Sequence, residues 1–284
     1  MARPLLNVYL DKNSPTLPLA KTVSDFAIAN GKKLRGNHLF NSLTIGKTEQ
    51  YKKVSEILKE FPEIKYWDCC LELIGDSGRF RNSIIQSEID RCFLVAKTQL
   101  PDATFFYCDY YRDSRKWQKT YELIDSLLSK DIPLGGLSIQ LHSNLRPPIA
   151  KDCLTLDWQV HKIWMNRIKT DFGLLIHVPE IVCWQPATKL TFKEVKSLNK
   201  NSNIRRELLR TGAGFFLDRF WDVEDLQLKA YSTLIDSCQG LADMVGFWSA
   251  FDASPWNWFG NRAKAGFWDE NFIPKPAAKV LFYL

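Results

Sequence analysis

The sequence predicts an α/β fold of the TIM, or (β/α)8, barrel type in a single domain, and three observations carry that expectation. Short, nearly continuous apolar runs alternate with amphipathic stretches, as buried parallel strands alternating with covering helices would. The 284 residues suit one such domain, typically about 250 residues. No Gly-x-Gly-x-x-Gly or phosphate-binding loop follows an early strand, and Gly-Asp-Ser-Gly at 75–78 has the wrong spacing, which argues against an open nucleotide-binding sheet.

The elements follow in order. Apolar runs place strands at Lys33–Phe40, Tyr66–Ile74, Thr104–Tyr110, Gly136–His142, Leu174–Val182 and Met244–Ala250. Amphipathic stretches between them place helices at Thr48–Glu60, Ser83–Gln99, Ser114–Ser129, Leu156–Thr170 and Val223–Cys238. Pro101-Asp102, Pro133 with Gly135-Gly136, and Gly173 interrupt the chain between elements, as turn-forming residues do. Leu5–Leu10 has room for one further strand, and no short-period repeat suggests a solenoid.

Composition narrows the function classes. The +6 formal charge comes from basic residues scattered along the chain, so no nucleic-acid partner is expected. No apolar stretch reaches 18 residues and Met1–Asp11 is charged too early for a signal peptide, so neither a membrane span nor a leader is read, and location stays open. Seven cysteines, Cys69 and Cys70 adjacent among them, show no metal-ligand spacing; no metal or organic cofactor is expected, and the odd count leaves at least one thiol outside an internal disulfide. Ten tryptophans, four of them between Trp248 and Trp268, serve equally as core filler and as sugar-stacking surfaces.

In a parallel barrel the active site lies at the carboxyl ends of the strands, so polar residues closing apolar runs are the candidates. Glu72, late in Tyr66–Gly75, and Glu180, after Leu-Leu-Ile-His-Val-Pro, fit that description. Taken singly, each reads first as a solvated strand end, although a carboxylate in such a wall is costly unless hydrogen-bonded or functional.

Together their segments resemble the family 10 glycoside hydrolases, the endo-1,4-β-xylanases and their relatives. Trp67-Asp68-Cys69-Cys70-Leu71-Glu72-Leu73 is similar to the family's acid/base motif Trp-Asp-Val-Val-Asn-Glu-Ala, continuing through Phe80-Arg81-Asn82-Ser83, and His177-Val178-Pro179-Glu180-Ile181-Val182 to its nucleophile strand His-Ile-Thr-Glu-Leu-Asp. Tyr107-Cys108-Asp109-Tyr110 resembles Tyr-Asn-Asp-Tyr, and Gly136–His142 resembles Gly-x-Gln-x-His. Near the carboxyl end, Trp248, Asp252, Ser254-Pro255-Trp256 and Pro274-Lys275-Pro276-Ala277 match the remaining pattern, in the family's order.

The resemblance, over residues 18–284, implies a single catalytic domain that cleaves a β-1,4-linked, xylan-like polysaccharide with retention, by double displacement. It implies Glu72 as acid/base and Glu180 as nucleophile. Gln140 and His142 would line the wall beside Glu180, Trp248 and Trp256 would stack a sugar on the glycone side, and Tyr110 would sit near the cleft floor. Asn37 and Asn41 stand at cleft positions where the family has His and Trp, Ser42 replaces a second His, and Leu71 replaces the Asn that bonds the sugar 2-hydroxyl. Residues 1–17 are unmatched, and the family's first one or two strand–helix units are expected to be reduced or lacking, which raises self-association as an expectation. The alternative, from Leu71, Asn37 and Asn41, is a glycan-binding or scaffold protein without turnover.

Overall fold

A computed structural model describes residues 6–9, 16–31, 33–111, 114–144, 158–186, 223–247, 263–264, 266–269 and 271–282. Strands β1 (Leu6–Tyr9), β2 (Leu34–Asn41), β3 (Tyr66–Leu71), β4 (Thr104–Tyr110), β5 (Gly136–Asn144), β6 (Leu175–Pro186) and β7 (Met244–Phe247) neighbour one another in sequence order. Each of the first four is parallel to the next, the arrangement that strand–helix–strand units produce. Helices α1 (Thr16–Ala29), α2 (Thr48–Glu60), α3 (Gln86–Gln99), α4 (Ser114–Leu128) and α5 (Trp158–Phe172) lie between successive strands, and α6 (Val223–Cys238) precedes β7. A two-residue strand β8 (Ala263–Lys264) pairs antiparallel with the end of β6, and a 3-10 turn spans Pro276–Phe282.

All six expected strands are present as β2–β7, with shifted ends. β3 stops at Leu71, so Glu72 lies one residue beyond the strand rather than within it. Helix α3 begins at Gln86 rather than Ser83, because Arg81–Ser83 forms a separate 3-10 turn in which Asn82 and Ser83 have positive φ. β6 runs on to Pro186, its last two residues held by β8. Ahead of β2, the strand expected within Leu5–Leu10 is β1, followed by α1. The sequence periodicity did not mark α1, whose buried positions include the small Ser24 and Ala27 while the large Phe26 and Ile28 face solvent.

The chain divides into two compact units. The first comprises residues 1–140, 159–179 and 240–246; the second comprises 141–158, 180–239 and 247–284.

The first unit holds a curled sheet, shown by one side chain. Arg35 on β2 is fully buried and hydrogen-bonds Asp68 on β3 and Ser138 on β5. Its guanidinium lies 4.6 Å from the Phe106 ring centre on β4, and 2.7 Å separates it from Nδ1 of His177 on β6. In a flat sheet β2 and β6 would stand about 19 Å apart, four strand spacings, beyond an arginine's reach. Curling brings five strands around one guanidinium. Gly36 is needed beside it, since a Cβ there would fall 2.1 Å from the buried Trp67 indole.

In the second unit, Tyr231 on α6 packs on Phe267 at 4.9 Å and Phe247 at 5.7 Å between ring centres. Gln227 on the same helix donates to the Cys183 carbonyl at 2.9 Å, tying α6 to β6. Among the described residues, six cysteines are buried free thiols, and no helix is long and apolar enough to cross a membrane.

Candidate active site

In the first unit β2–β5 and the residue after β3 carry five of the expected site residues, Asn37, Asn41, Glu72, Tyr110 and Gln140. Register pairing sets Asn41 beside Leu71 and Tyr110 beside Gln140. Glu72 follows directly on Leu71 with φ +51°, a left-handed conformation that costs a non-glycine residue, and its amide donates to the Cys108 carbonyl at 2.9 Å. That bond continues the β3–β4 ladder by one rung while the backbone turns sharply. The Glu72 side chain is thereby half-buried where the strands end.

Two cations on neighbouring elements interact electrostatically with Glu72. Arg81, in the 3-10 turn after β3, donates to the Tyr110 hydroxyl at 2.9 Å. Burial lowers the Arg81 pKa, but the Tyr110 phenol and the Glu72 and Asp109 carboxylates outweigh it and raise the value overall. Lys116, in the first turn of α4, is fully buried with its ammonium 2.6 Å from Asp109 and 3.5 Å from the Tyr110 ring centre. Asp109 is also buried and accepts from the Tyr107 hydroxyl and, at 2.9 Å, from the Tyr110 amide. Burial pushes the Lys116 ammonium down and the Asp109 carboxyl up, each opposed by its partner.

The remaining candidates in this unit differ in what holds them. Gln140 is 4% exposed, and its Oε1 has no hydrogen-bond partner among the described residues. Asn37 is buried on β2 at the start of a register irregularity that extends to Phe40. Asn41 is committed to its own loop: Nδ2 lies 3.0 Å from Nε2 of His38, and Oδ1 accepts from the Leu43 amide at 2.9 Å. Asn41 thereby orders the turn after β2.

The second unit brings His142 and Glu180 together. Glu180 is 4% exposed on β6, and His142 Nε2 on β5 lies 3.5 Å from its Oε2, an electrostatic contact longer than a hydrogen bond. Trp248 and Trp256 lie outside the described residues.

His177, three residues before Glu180, belongs to the Arg35 cluster. Its ring stacks on Phe106 at 4.3 Å, and burial together with Arg35 pushes its pKa down to about 2, so it is neutral at ordinary pH. Arg35, Arg81 and Lys116 were given no site role from sequence, although Arg81 lies within the matched segment Phe80-Arg81-Asn82-Ser83. For Lys116 a signal was available: Lys116, Trp117, Thr120, Leu123, Ile124 and Leu127 form one buried stripe at helical spacing. A lysine in phase with that stripe, at a helix N-terminus where the dipole disfavours a cation, needs a buried anion, and Asp109 supplies it. Among the described residues no cluster suited to a metal ion occurs.

The sequence model of Glycosyl hydrolase family 10 matches residues 9–283. The chain belongs to glycosyl hydrolase family 10. Among the curated relatives of this family 10 chain, a beta-1,4-xylanase of Dictyoglomus thermophilum is 25% identical over 284 residues, covering 91% of this chain and 72% of that protein. Endo-1,4-beta-xylanase B of Thermotoga neapolitana is 25% identical over 224 residues, covering 75% of this chain. The match spans 54% of the Thermotoga protein, a little over half its length.

Solved structures agree on the fold. Xylanase 10B of Thermotoga petrophila RKU-1, crystallised with xylobiose, superposes with a TM-score of 0.71 at 20% identity over 98% of this chain and 84% of that one. Native xylanase 10B of Thermotoga maritima gives 0.71 at 19% identity over 99% and 85%. The family 10 chain therefore has a TIM-type fold.

Proposed function

We propose that this chain is a retaining glycoside hydrolase that cleaves β-1,4-linked xylan, with Glu180 as nucleophile and Glu72 as acid/base. The reading draws on family membership and on the xylanase relatives, and one observation carries it at the residue level: Glu72 and Glu180 stand in the segments Trp67–Leu73 and His177–Val182, which match the family's acid/base and nucleophile motifs in order. Glu180 is buried against an imidazole, whereas Glu72 is half-buried at a strand end with Arg81 and Lys116 acting on it. The cations favour the ionised form of Glu72, the form that acts as base in the second step.

In the first step Glu72 donates its proton to the glycosidic oxygen while the Glu180 carboxylate attacks the anomeric carbon; the aglycone leaves and a glycosyl ester forms on Glu180. In the second, Glu72, now a carboxylate, takes a proton from water, whose oxygen displaces Glu180 and restores both groups. His142 orients the Glu180 carboxylate, Gln140 and Tyr110 line the wall, Asn37 and Asn41 take the place of larger family side chains, and Trp248 and Trp256 stack the glycone.

Leu71 cannot hydrogen-bond the sugar 2-hydroxyl, a contact that contributes to transition-state stabilisation in such enzymes. Turnover is therefore expected to be slower than in a relative carrying Asn there. The test is reducing-sugar release from xylan, mixed-linkage glucan, mannan and cellulose oligomers, with and without Glu180→Gln. Release from xylan that the substitution abolishes is the expected result. Release unaffected by it removes Glu180 from the mechanism, and binding without release replaces the enzyme reading with a glycan-binding one.

A further inference from the structure

On the surface of the first unit an open groove of about 500 Å³ lies between the loop that follows Glu72, helix α4 and Trp164 on α5. Close packing defines its wall. Gly78 has φ +74°, and a Cβ there would sit 3.2 Å from the Arg115 carbonyl, so the loop backbone rests on the first turn of α4. From the other side, the Lys119 ammonium stands 5.3 Å from the Phe80 ring centre and links the same loop to the same helix.

Trp164 contributes a partly exposed indole to this groove, and its neighbours hold the ring in one orientation. It lies parallel to the fully buried Trp117, 6.2 Å between centres at 1°, with the Arg167 guanidinium 5.2 Å from its ring. A fixed, partly exposed indole presents flat apolar area with little entropy left to lose, which suits the C–H face of a pyranose.

The rest of the lining is polar, with Arg115 and Lys119 set against the Glu122 carboxylate. Gln118 donates to Glu122 at 3.4 Å and Lys119 to its other oxygen at 3.2 Å, so Glu122 remains an ionised acceptor. The Ser77 hydroxyl adds a further donor and acceptor. One aromatic platform with a few mixed polar groups fits a hydroxyl-rich neutral ligand better than a phosphate, which would call for concentrated positive charge. Ser77 is five residues beyond Glu72, so the groove begins on the loop that leaves the acid/base position.

We infer that this groove is a second carbohydrate site, outside the cleft, that holds a further stretch of the β-1,4-linked polymer on which the chain acts. Trp164 stacks one sugar ring, and Gln118, Glu122 and Ser77 bond its hydroxyls. The identity of the polymer rests on the functional reading above; the existence of the site does not.

The test is affinity electrophoresis through gels containing soluble xylan, using Glu180→Gln to keep the polymer intact, with and without Trp164→Ala. Losing one stacked ring should weaken retardation about 2- to 12-fold. In the active protein, turnover of polymeric xylan relative to xylotriose should fall by the same factor. Trp164→Phe should restore most of both, and the exposed pair Gln118→Ala with Glu122→Ala should weaken retardation without disturbing the Trp117 contact. Equal retardation of parent and Trp164→Ala, or equal losses on polymer and xylotriose, overturns the site. If the parent releases no sugar from xylan, the functional reading fails by itself. Retardation by xylan, mannan or glucan that Trp164→Ala weakens still supports the site, and a parent retarded by none of them overturns it.

Discussion

Lys116→Met removes the cation from the buried pair behind Glu72 while keeping similar length and volume. In the parent the ammonium sits 2.6 Å from Asp109 with both side chains at most 1% exposed. Without it, Asp109 keeps only the Tyr107 hydroxyl and the Tyr110 amide among its named partners. Removing one member of a buried pair costs about 3–5 kcal/mol, because the other charge stays out of water uncompensated. The lost contact with the Tyr110 ring at 3.5 Å moves the expectation toward the upper end of that range. At about 2–4 °C per kcal/mol, the melting temperature should fall by about 6–20 °C.

The pH dependence has a definite sign. Burial already raises the Asp109 carboxyl above its ordinary 3.8, and loss of Lys116 raises it further. A group whose folded pKa is raised contributes stability that is present below the unfolded pKa and lost as pH rises through the folded one. The deficit of the variant should therefore be full at neutral pH and shrink on acidification toward 3.8. Urea unfolding at a series of pH values reads this directly, and Asp109→Asn added to Lys116→Met should recover most of the loss. A deficit below about 1 kcal/mol that does not narrow in acid would refute a buried ion pair at this position.

Other outcomes follow from the same geometry. His177, held neutral down to about 2 against an ordinary 6.5, takes up a proton only on unfolding, so stability falls as pH drops below 6.5. His177→Phe should remove about 1.4 kcal/mol per pH unit from that slope, and identical slopes in parent and variant would contradict it. Arg81→Gln withdraws a cation acting on Glu72, so the alkaline limb of the kcat/KM profile should move to higher pH; a shift to lower pH would count against the acid role. Glu72→Gln should lower kcat/KM on xylan about 100- to 10,000-fold while sparing kcat/KM on aryl glycosides whose leaving group needs no protonation, and equal losses of kcat/KM on both substrates would remove the acid assignment. Gly36→Ala places a Cβ 2.1 Å from the Trp67 indole and should cost about 1–3 kcal/mol in thermal unfolding, with an unchanged melting temperature arguing against this packing.

Most of the parallel scaffold was legible in the sequence, because buried strands need apolar runs and their covering helices need an apolar stripe. β2–β7 and α2–α6 accordingly fall where those patterns placed them, within a few residues. Helix α1 escaped because the residues it buries include serine and alanine, which carry little apolar signal. Glu72 and Glu180 were singled out because a carboxylate closing an apolar run is costly and the surrounding motifs match an ordered family pattern.

What the sequence by itself determined was the order of elements and the family, and it named two candidate carboxylates, since all of these depend on local patterning and short motifs. Tertiary structure alone decided that Arg35 joins five strands, that Asn41 is bound within its own loop, and that Lys116 and Arg81 act on Glu72. It also set His142 beside Glu180 and gathered Ser77, Gln118 and Trp164 around one groove. These relations join residues far apart along the chain, and whether a buried charge has a partner is settled only when the folded chain closes around it.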